Sequence, residues 1–173
     1  MFARGRLDIG TSVLFKETEP PVLPAGARIL DLGCGYGVIG LVLATLLPEV
    51  EVVGVDVNER ALLLANENAS RLGLKNYRAV VPDQATGEWD EIWSNPPIRI
   101  GKDALHELLL TWLPHLTPDG RAVMVVGKNL GADSLQTWIT NQGFPTSRTG
   151  SAKGFRPGDH PPLAPFALRP SPT

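Results

Sequence analysis

The chain has 173 residues, 43 % of them hydrophobic, which is enough for one domain with a proper core. Its net charge of −2 argues against a protein that grips nucleic acid over its whole surface, while leaving room for a local basic rim. No apolar run reaches the roughly 18 residues of a membrane span, Met1 to Arg6 lacks the apolar stretch of a signal peptide, and one cysteine, Cys34, excludes a disulfide framework. A reducing cytoplasm is the expected compartment.

Strand and helix signals alternate from about Arg28 to about Ser151. Arg28 to Asp31 reads as a short apolar strand, and Val38 to Leu47 as an apolar helix closed by Pro48. Val50 to Val55 is β-branched and reads as a central, doubly buried strand. Asn58 caps a helix running to about Leu72, with Gly73 as its stop. Strands are predicted at Tyr77 to Val81 and Glu91 to Ser94, and a helix at Lys102 to Leu113, bounded by Pro114. Pro118-Asp119-Gly120 predicts a turn before a fifth strand, Arg121 to Val126. Ala132 to Asn141 reads as a helix, with Gly143 beyond it. This alternation predicts an α/β fold: a doubly wound, mostly parallel sheet with helices on both faces. Residues 1–156 are expected to form one domain. Residues 157–173 carry prolines at 157, 161, 162, 165, 170 and 172, and the spacing predicts an irregular tail.

The chemistry concentrates at two places. Ile29-Leu30-Asp31-Leu32-Gly33-Cys34-Gly35-Tyr36-Gly37 runs a strand into a Gly-x-Gly-x-Gly turn. A dinucleotide fingerprint needs glycine at 38, and this chain has Val38, so a pyrophosphate cradle is disfavoured. The turn still lets backbone approach a nucleoside closely, with Cys34 as a small filler between Gly33, Gly35 and Gly37. Asp31 is expected to reach an amino-acid ammonium through the turn or water. Asp56, at the end of the second strand, suits a ribose diol. Val57 would pack on an adenine, and Asp83 would accept from its amine.

Some sixty residues beyond the turn, Ser94-Asn95-Pro96-Pro97-Ile98 follows the fourth strand. An exocyclic amine has two N–H donors, and the Asn95 side-chain oxygen and the Pro96 carbonyl are both acceptors. Proline fixes φ, so this geometry is preorganised. The two motifs together imply S-adenosylmethionine as cofactor and methyl transfer to a nitrogen. Arg4, Arg6, Arg99 and Lys102 are candidates for a basic rim. His106, His115 and His160 have no metal-like spacing. Trp89, Trp93 and Trp112 read as packing residues, and Lys128 as an exposed loop residue.

At these residues the chain resembles class I S-adenosylmethionine-dependent methyltransferases. Within them it resembles the small-methyltransferase group that includes bacterial guanine-N2 methyltransferases acting on small-subunit ribosomal RNA. The resemblance spans about residues 2 to 156. It rests on Phe2-Ala3-Arg4-Gly5-Arg6-Leu7-Asp8-Ile9-Gly10-Thr11, Leu30 to Gly37, Val55-Asp56-Val57-Asn58 and Ser94 to Ile98. It implies that the segment carrying Thr11 lies against the methionine end of the cofactor. It further implies that Asp31, Gly33, Cys34, Gly35, Gly37, Asp56, Val57, Asp83 and Asn95 line the cofactor site. Asn95, Pro96 and Pro97 would hold the amine. Arg4, Arg6, Ile98, Arg99 and Lys102 would meet the substrate, expected to be ribosomal RNA or a ribosomal particle.

The chain departs from the pattern in three ways. Ile98 replaces the usual aromatic, so it offers only apolar contact to a base. Relatives carry more chain before the Phe2 segment. The closing strand belongs after Gly154-Phe155-Arg156, where Pro157-Gly158 interrupts it, so the last edge strand is expected to be missing. Two other readings stay open: methylation of a protein glutamine amide or small-molecule amine, and a non-catalytic cofactor-binding module.

Overall fold

The structure, a computed structural model, describes residues 21–96, 100–127, 132–148 and 163–171, with Phe15 and Thr18. Within them lie β1 Arg28–Leu32, β2 Glu51–Val55, β3 Tyr77–Val80, β4 Trp89–Ser94, β5 Leu116–Gly127, β6 Thr146–Arg148 and β7 Leu163–Leu168. The helices are α1 Val38–Leu46, α2 Glu59–Arg71, α3 Lys102–Trp112 and α4 Ala132–Asn141. One sheet takes the order β3-β2-β1-β4-β5-β7-β6. β1 to β5 are mutually parallel where they pair, and β7 runs antiparallel between β5 and β6.

The two-residue side-chain period of a strand sorts the apolar residues into two cores. Ile29, Val52, Trp93 and Val123 face α1 and α2. Leu30, Val53, Ile92 and Met124 face the other way, against Leu105 and Leu109 of α3 and Leu135 and Ile139 of α4. Each fully buried side chain of this size contributes on the order of 1.5–3 kcal/mol. The predicted packing tryptophans, Trp89, Trp93 and Trp112, are all buried. Asn58 caps α2, its side-chain oxygen accepting from the Arg60 and Ala61 amides at 3.0 and 3.2 Å, a contact worth about 1 kcal/mol. Gly73, at φ 69°, ends the same helix.

β4 and β5 are also joined by charge. Glu91 is 5 % exposed and accepts from Arg121 at 3.0 and 3.1 Å, and from the Trp93 indole at 2.7 Å. The Phe15 ring stacks on Trp93, with centroids 5.7 Å apart.

Two expectations need correction. Pro118 to Gly120 lie inside β5 rather than before it. The tight geometry survives as an irregularity of the strand: Trp89 pairs with Leu116, but Glu91 pairs with Arg121, so extra β5 residues are looped out. A Cβ on Gly120 would stand 2.8 Å from the Thr117 carbonyl oxygen. The second correction concerns the tail and the closing strand. Leu163–Leu168 is not irregular; it is β7, registered from Leu163↔Gly127 to Leu168↔Ala122. The sheet's last strand is therefore present, several residues beyond the interrupting Pro157-Gly158. Pro165 pairs with Val125 of β5, and the described ladder to β6 runs from Thr146↔Leu168 to Arg148↔Phe166.

Candidate active site

In an open parallel sheet, ligands collect at the carboxyl ends of the strands where the order reverses. Here that point lies between β1 and β4, with β2 and β3 to one side and β5 to the other. Leu32 pairs with Ser94 across it, and the Ser94 hydroxyl donates to the Leu32 carbonyl at 2.8 Å. The next residues on the two strands are Gly33 and Asn95. Register alone therefore sets the start of the Gly turn beside the Asn-Pro segment. Asn95 is half-buried and Pro96 buried.

The turn is wired from below. The Gly33 and Cys34 amides both donate to the Val55 carbonyl, at 2.8 and 2.9 Å. The Gly35 amide donates to Asp56 Oδ2 at 2.9 Å, and the Gly37 amide to the Cys34 carbonyl at 2.9 Å. With these donors committed, the turn has few amides left to grip a pyrophosphate. Gly33 and Gly35 hold φ of 70° and 53°, which a side chain would strain, and a Cβ on either would meet none of the described residues within 4 Å. Gly37, at φ 93°, is required for a further reason: its Cβ would stand 2.9 Å from the Tyr77 hydroxyl.

Asp31 is 1 % exposed, and its Oδ2 accepts from the Gly40 amide at 2.9 Å, in the first turn of α1. It thus serves as the capping carboxylate that Gly37 cannot supply. Burial pushes it up to about 7, opposed by the Gly40 hydrogen bond and assisted by the Asp56 charge. At this burial it is reachable only through the turn. Asp56 spans two loops, accepting from Gly35 through Oδ2 and from the Asn58 amide through Oδ1, both at 2.9 Å. Each carboxylate oxygen keeps a second lone pair for a diol. Val57 is 83 % exposed beside it. A hollow of about 730 Å³ runs along this edge, lined by Gly35, Tyr36, Asp56, Asn58, Arg60 and Leu64, a volume suited to a nucleoside.

Asp83 is exposed on a short 3₁₀ turn after β3, at the same end of the sheet. Cys34 is buried, and its thiol is pushed upward chiefly by burial, then by Asp31 and Asp56, so it is an inert filler. Lys102 is exposed at the start of α3. Arg4, Arg6, Thr11, Pro97, Ile98, Arg99, Lys128 and His160 lie outside the described residues. Among the described residues no group of histidine, cysteine and carboxylates could hold a metal, and no helix is long and apolar enough to cross a membrane.

Sequence reasoning missed Tyr77, Gly40 and Gly54. A Cβ on Gly54 would stand 2.5 Å from the Tyr77 hydroxyl, and one on Gly40 would stand 2.6 Å from its ring. A glycine inside an apolar helix and another inside a β-branched strand were the visible signals of close packing. The residue that fills the gap carried none.

A parallel sheet of this order, with paired acids and a committed Gly turn at its switch point, defines a nucleoside-cofactor fold of the class I methyltransferase type. Residues 1–152 match the family model described as methyltransferase small domain. The protein YbxB of Bacillus subtilis, itself uncharacterized, is 37 % identical over 139 residues, covering 78 % of this chain and 68 % of YbxB. Ribosomal RNA small subunit methyltransferase C of Pasteurella multocida is 33 % identical over 131 residues, covering 72 % of this chain and 39 % of that protein. The chain thus spans well under half the length of that relative. The ribosomal protein L11 methylase structure from Lactobacillus delbrueckii superposes with TM-score 0.72 at 17 % identity, over 94 % of this chain and 79 % of that one. The chain belongs to the methyltransferase small domain family, for which S-adenosylmethionine is the implied cofactor.

The site fits that cofactor. S-Adenosylmethionine carries a sulfonium and an ammonium against one carboxylate, and the turn sits over two acids, Asp31 and Asp56. Among the described residues nothing stands within 4 Å of a Cβ built on Gly33 or Gly35, which leaves room for it.

Proposed function

We propose that this protein transfers a methyl group to a planar exocyclic nitrogen, the N2 of a guanine in small-subunit ribosomal RNA. The single observation that carries the reading is the Leu32↔Ser94 register, which sets Asn95 and Pro96 beside the Gly turn. The cofactor supplies an electrophilic methyl with a good leaving group, so the protein's own work is positioning. Asn95 Oδ1 and the Pro96 carbonyl oxygen accept the two amine protons. That aims the nitrogen lone pair at the methyl and stabilises positive charge as the N–C bond forms. The extra proton then leaves to solvent, and no strong base is required. Asp56 holds the ribose, Val57 and Asp83 the adenine, and the segment carrying Thr11 the methionine end. Pro97 belongs with Asn95 and Pro96 in holding the amine, and Ile98, Arg99, Lys102, Arg4 and Arg6 are the residues that meet the substrate.

The RNA assignment is supported by the ribosomal RNA methyltransferase C relatives. Assays with labelled methyl groups on small ribosomal particles, naked ribosomal RNA and ribosomal protein test it. RNA or particle labelling at a guanine amine is expected. Label in protein or in small amines alone would transfer the reading to those acceptors. Removing Lys102 or one of the three arginines is expected to lower the salt slope of RNA binding by about 0.7–0.9 per lost phosphate contact.

A further inference from the structure

Beneath the Gly turn lies a buried cluster that the methyl-transfer chemistry leaves unused. Tyr77, the first residue of β3, reaches under β2 into a slot left by three glycines. Its hydroxyl lies 2.5 Å from where a Cβ on Gly54 would be and 2.9 Å from one on Gly37, and its ring lies 2.6 Å from one on Gly40. The slot fixes the ring. Tyr77 is 7 % exposed, and among the described protein atoms no oxygen or nitrogen meets its hydroxyl with hydrogen-bond geometry; the Cys34 thiol is its one weak polar neighbour. An unpartnered buried hydroxyl is costly, and a phenylalanine would fill the same slot without that cost. The groups acting on the hydroxyl are the Asp31 carboxylate, the Cys34 thiol and the Asp56 carboxylate. Asp31 Oδ2 lines the same Gly40 position as the Tyr77 ring, 2.9 Å from it.

We propose that Tyr77 is a positioning residue of the cofactor site: its hydroxyl donates to the Asp31 carboxylate when the cationic cofactor binds above the turn. The inference rests on S-adenosylmethionine binding there. Asp31 is faced by the Gly40 amide of α1, the Tyr77 phenol of β3, the Cys34 thiol of the turn and the Asp56 carboxylate after β2. None of these is cationic. Burial holds Asp31 near 7, so at neutral pH it is divided between its protonated and ionised forms. A net positive ligand favours the ionised form, which then needs a second donor beside Gly40. Tyr77 is the donor within the cluster. The sign follows. Below pH 7 binding must expel a proton, so affinity climbs as pH rises through about 7 and then levels off.

The test is isothermal calorimetry of S-adenosylmethionine and S-adenosylhomocysteine from pH 6 to 9, with wild type, Tyr77→Phe and Asp31→Asn, alongside thermal melts without ligand. Wild type should show the climb, more steeply for the sulfonium ligand than for the thioether. Tyr77→Phe should melt no lower than wild type, yet bind S-adenosylmethionine about tenfold more weakly at pH 8. Its loss should be smaller at pH 6, so its climb is shallower than that of wild type and levels off at the same pH. Asp31→Asn should abolish the climb. Superimposable affinities for wild type and Tyr77→Phe across the range, or a climb that survives in Asp31→Asn, would overturn the proposal. Absence of binding by wild type would instead overturn the cofactor assignment on which it rests.

Discussion

Replacing Gly54 by alanine tests whether the cofactor turn is set by packing from below. The added Cβ would stand 2.5 Å from the Tyr77 hydroxyl and 2.9 Å from both Cβ and Sγ of Cys34. Neither neighbour is a flexible surface end; Tyr77 and Cys34 are buried among Leu41, Ala65 and Val52. Alanine gains roughly 0.5–1 kcal/mol over glycine in a strand through backbone entropy. Overpacking of this kind costs about 1–3 kcal/mol, so the net expectation is a destabilisation of about 1–2 kcal/mol. For a chain of this length each kcal/mol lowers Tm by about 2–4 °C, giving a fall of about 2–8 °C by calorimetry. Tyr77→Phe removes the oxygen of the closest contact. The double variant Gly54→Ala/Tyr77→Phe should therefore recover much of the loss, with a coupling of at least about 0.5 kcal/mol in a double-mutant cycle. Additive effects, or a Gly54→Ala protein as stable as wild type, would show that Tyr77 does not brace the turn.

Asp56→Ala is expected to weaken S-adenosylmethionine binding by about 1.5–3 kcal/mol, since it removes a charged acceptor and frees the Gly35 and Asn58 amides it holds; unchanged affinity in calorimetry would remove it from the ribose site. Asn95→Ala should abolish turnover and leave cofactor affinity nearly intact, because it acts on the acceptor amine. A variant that keeps most of its methylation rate would make the Asn-Pro segment a turn and nothing more. Glu91→Ala leaves the half-buried Arg121 and the Trp93 indole without their carboxylate acceptor, so urea unfolding should show a loss of about 3 kcal/mol, the low end for a broken buried pair. A loss under 1 kcal/mol would mean that the pair is solvated.

Much of this site was legible because its signals are local. Gly33, Gly35 and Gly37 need positive φ, and a run of alternating glycines after an apolar strand announces a tight turn without any tertiary information. The cap at Asn58 and the stop at Gly73 are equally local. So is the doubly buried character of Val52 and Val53, which sets a central strand in a parallel sheet. Asn95 was visible by its prolines, although its place beside Gly33 became definite only through the Leu32↔Ser94 register.

What the tertiary structure decided depends on partners distant in sequence. β7 was hidden because Pro165 within it and the prolines on either side argue against a strand, while its hydrogen bonds come from β5 and β6; a strand's partners, more than its own propensity, determine whether it forms. The sequence marks Asp31 as an acid that reaches a ligand through the turn or water; its burial and its bond to Gly40 come only from α1 folding back over β1. Glu91 and Arg121 are thirty residues apart and meet only as neighbouring strands. Tyr77 lies some forty residues from the Gly turn beneath which it packs. No pattern of residue types could have linked them, because the slot it fills exists only once Gly37 and Gly40 at the start of α1 have been brought against Gly54 of β2.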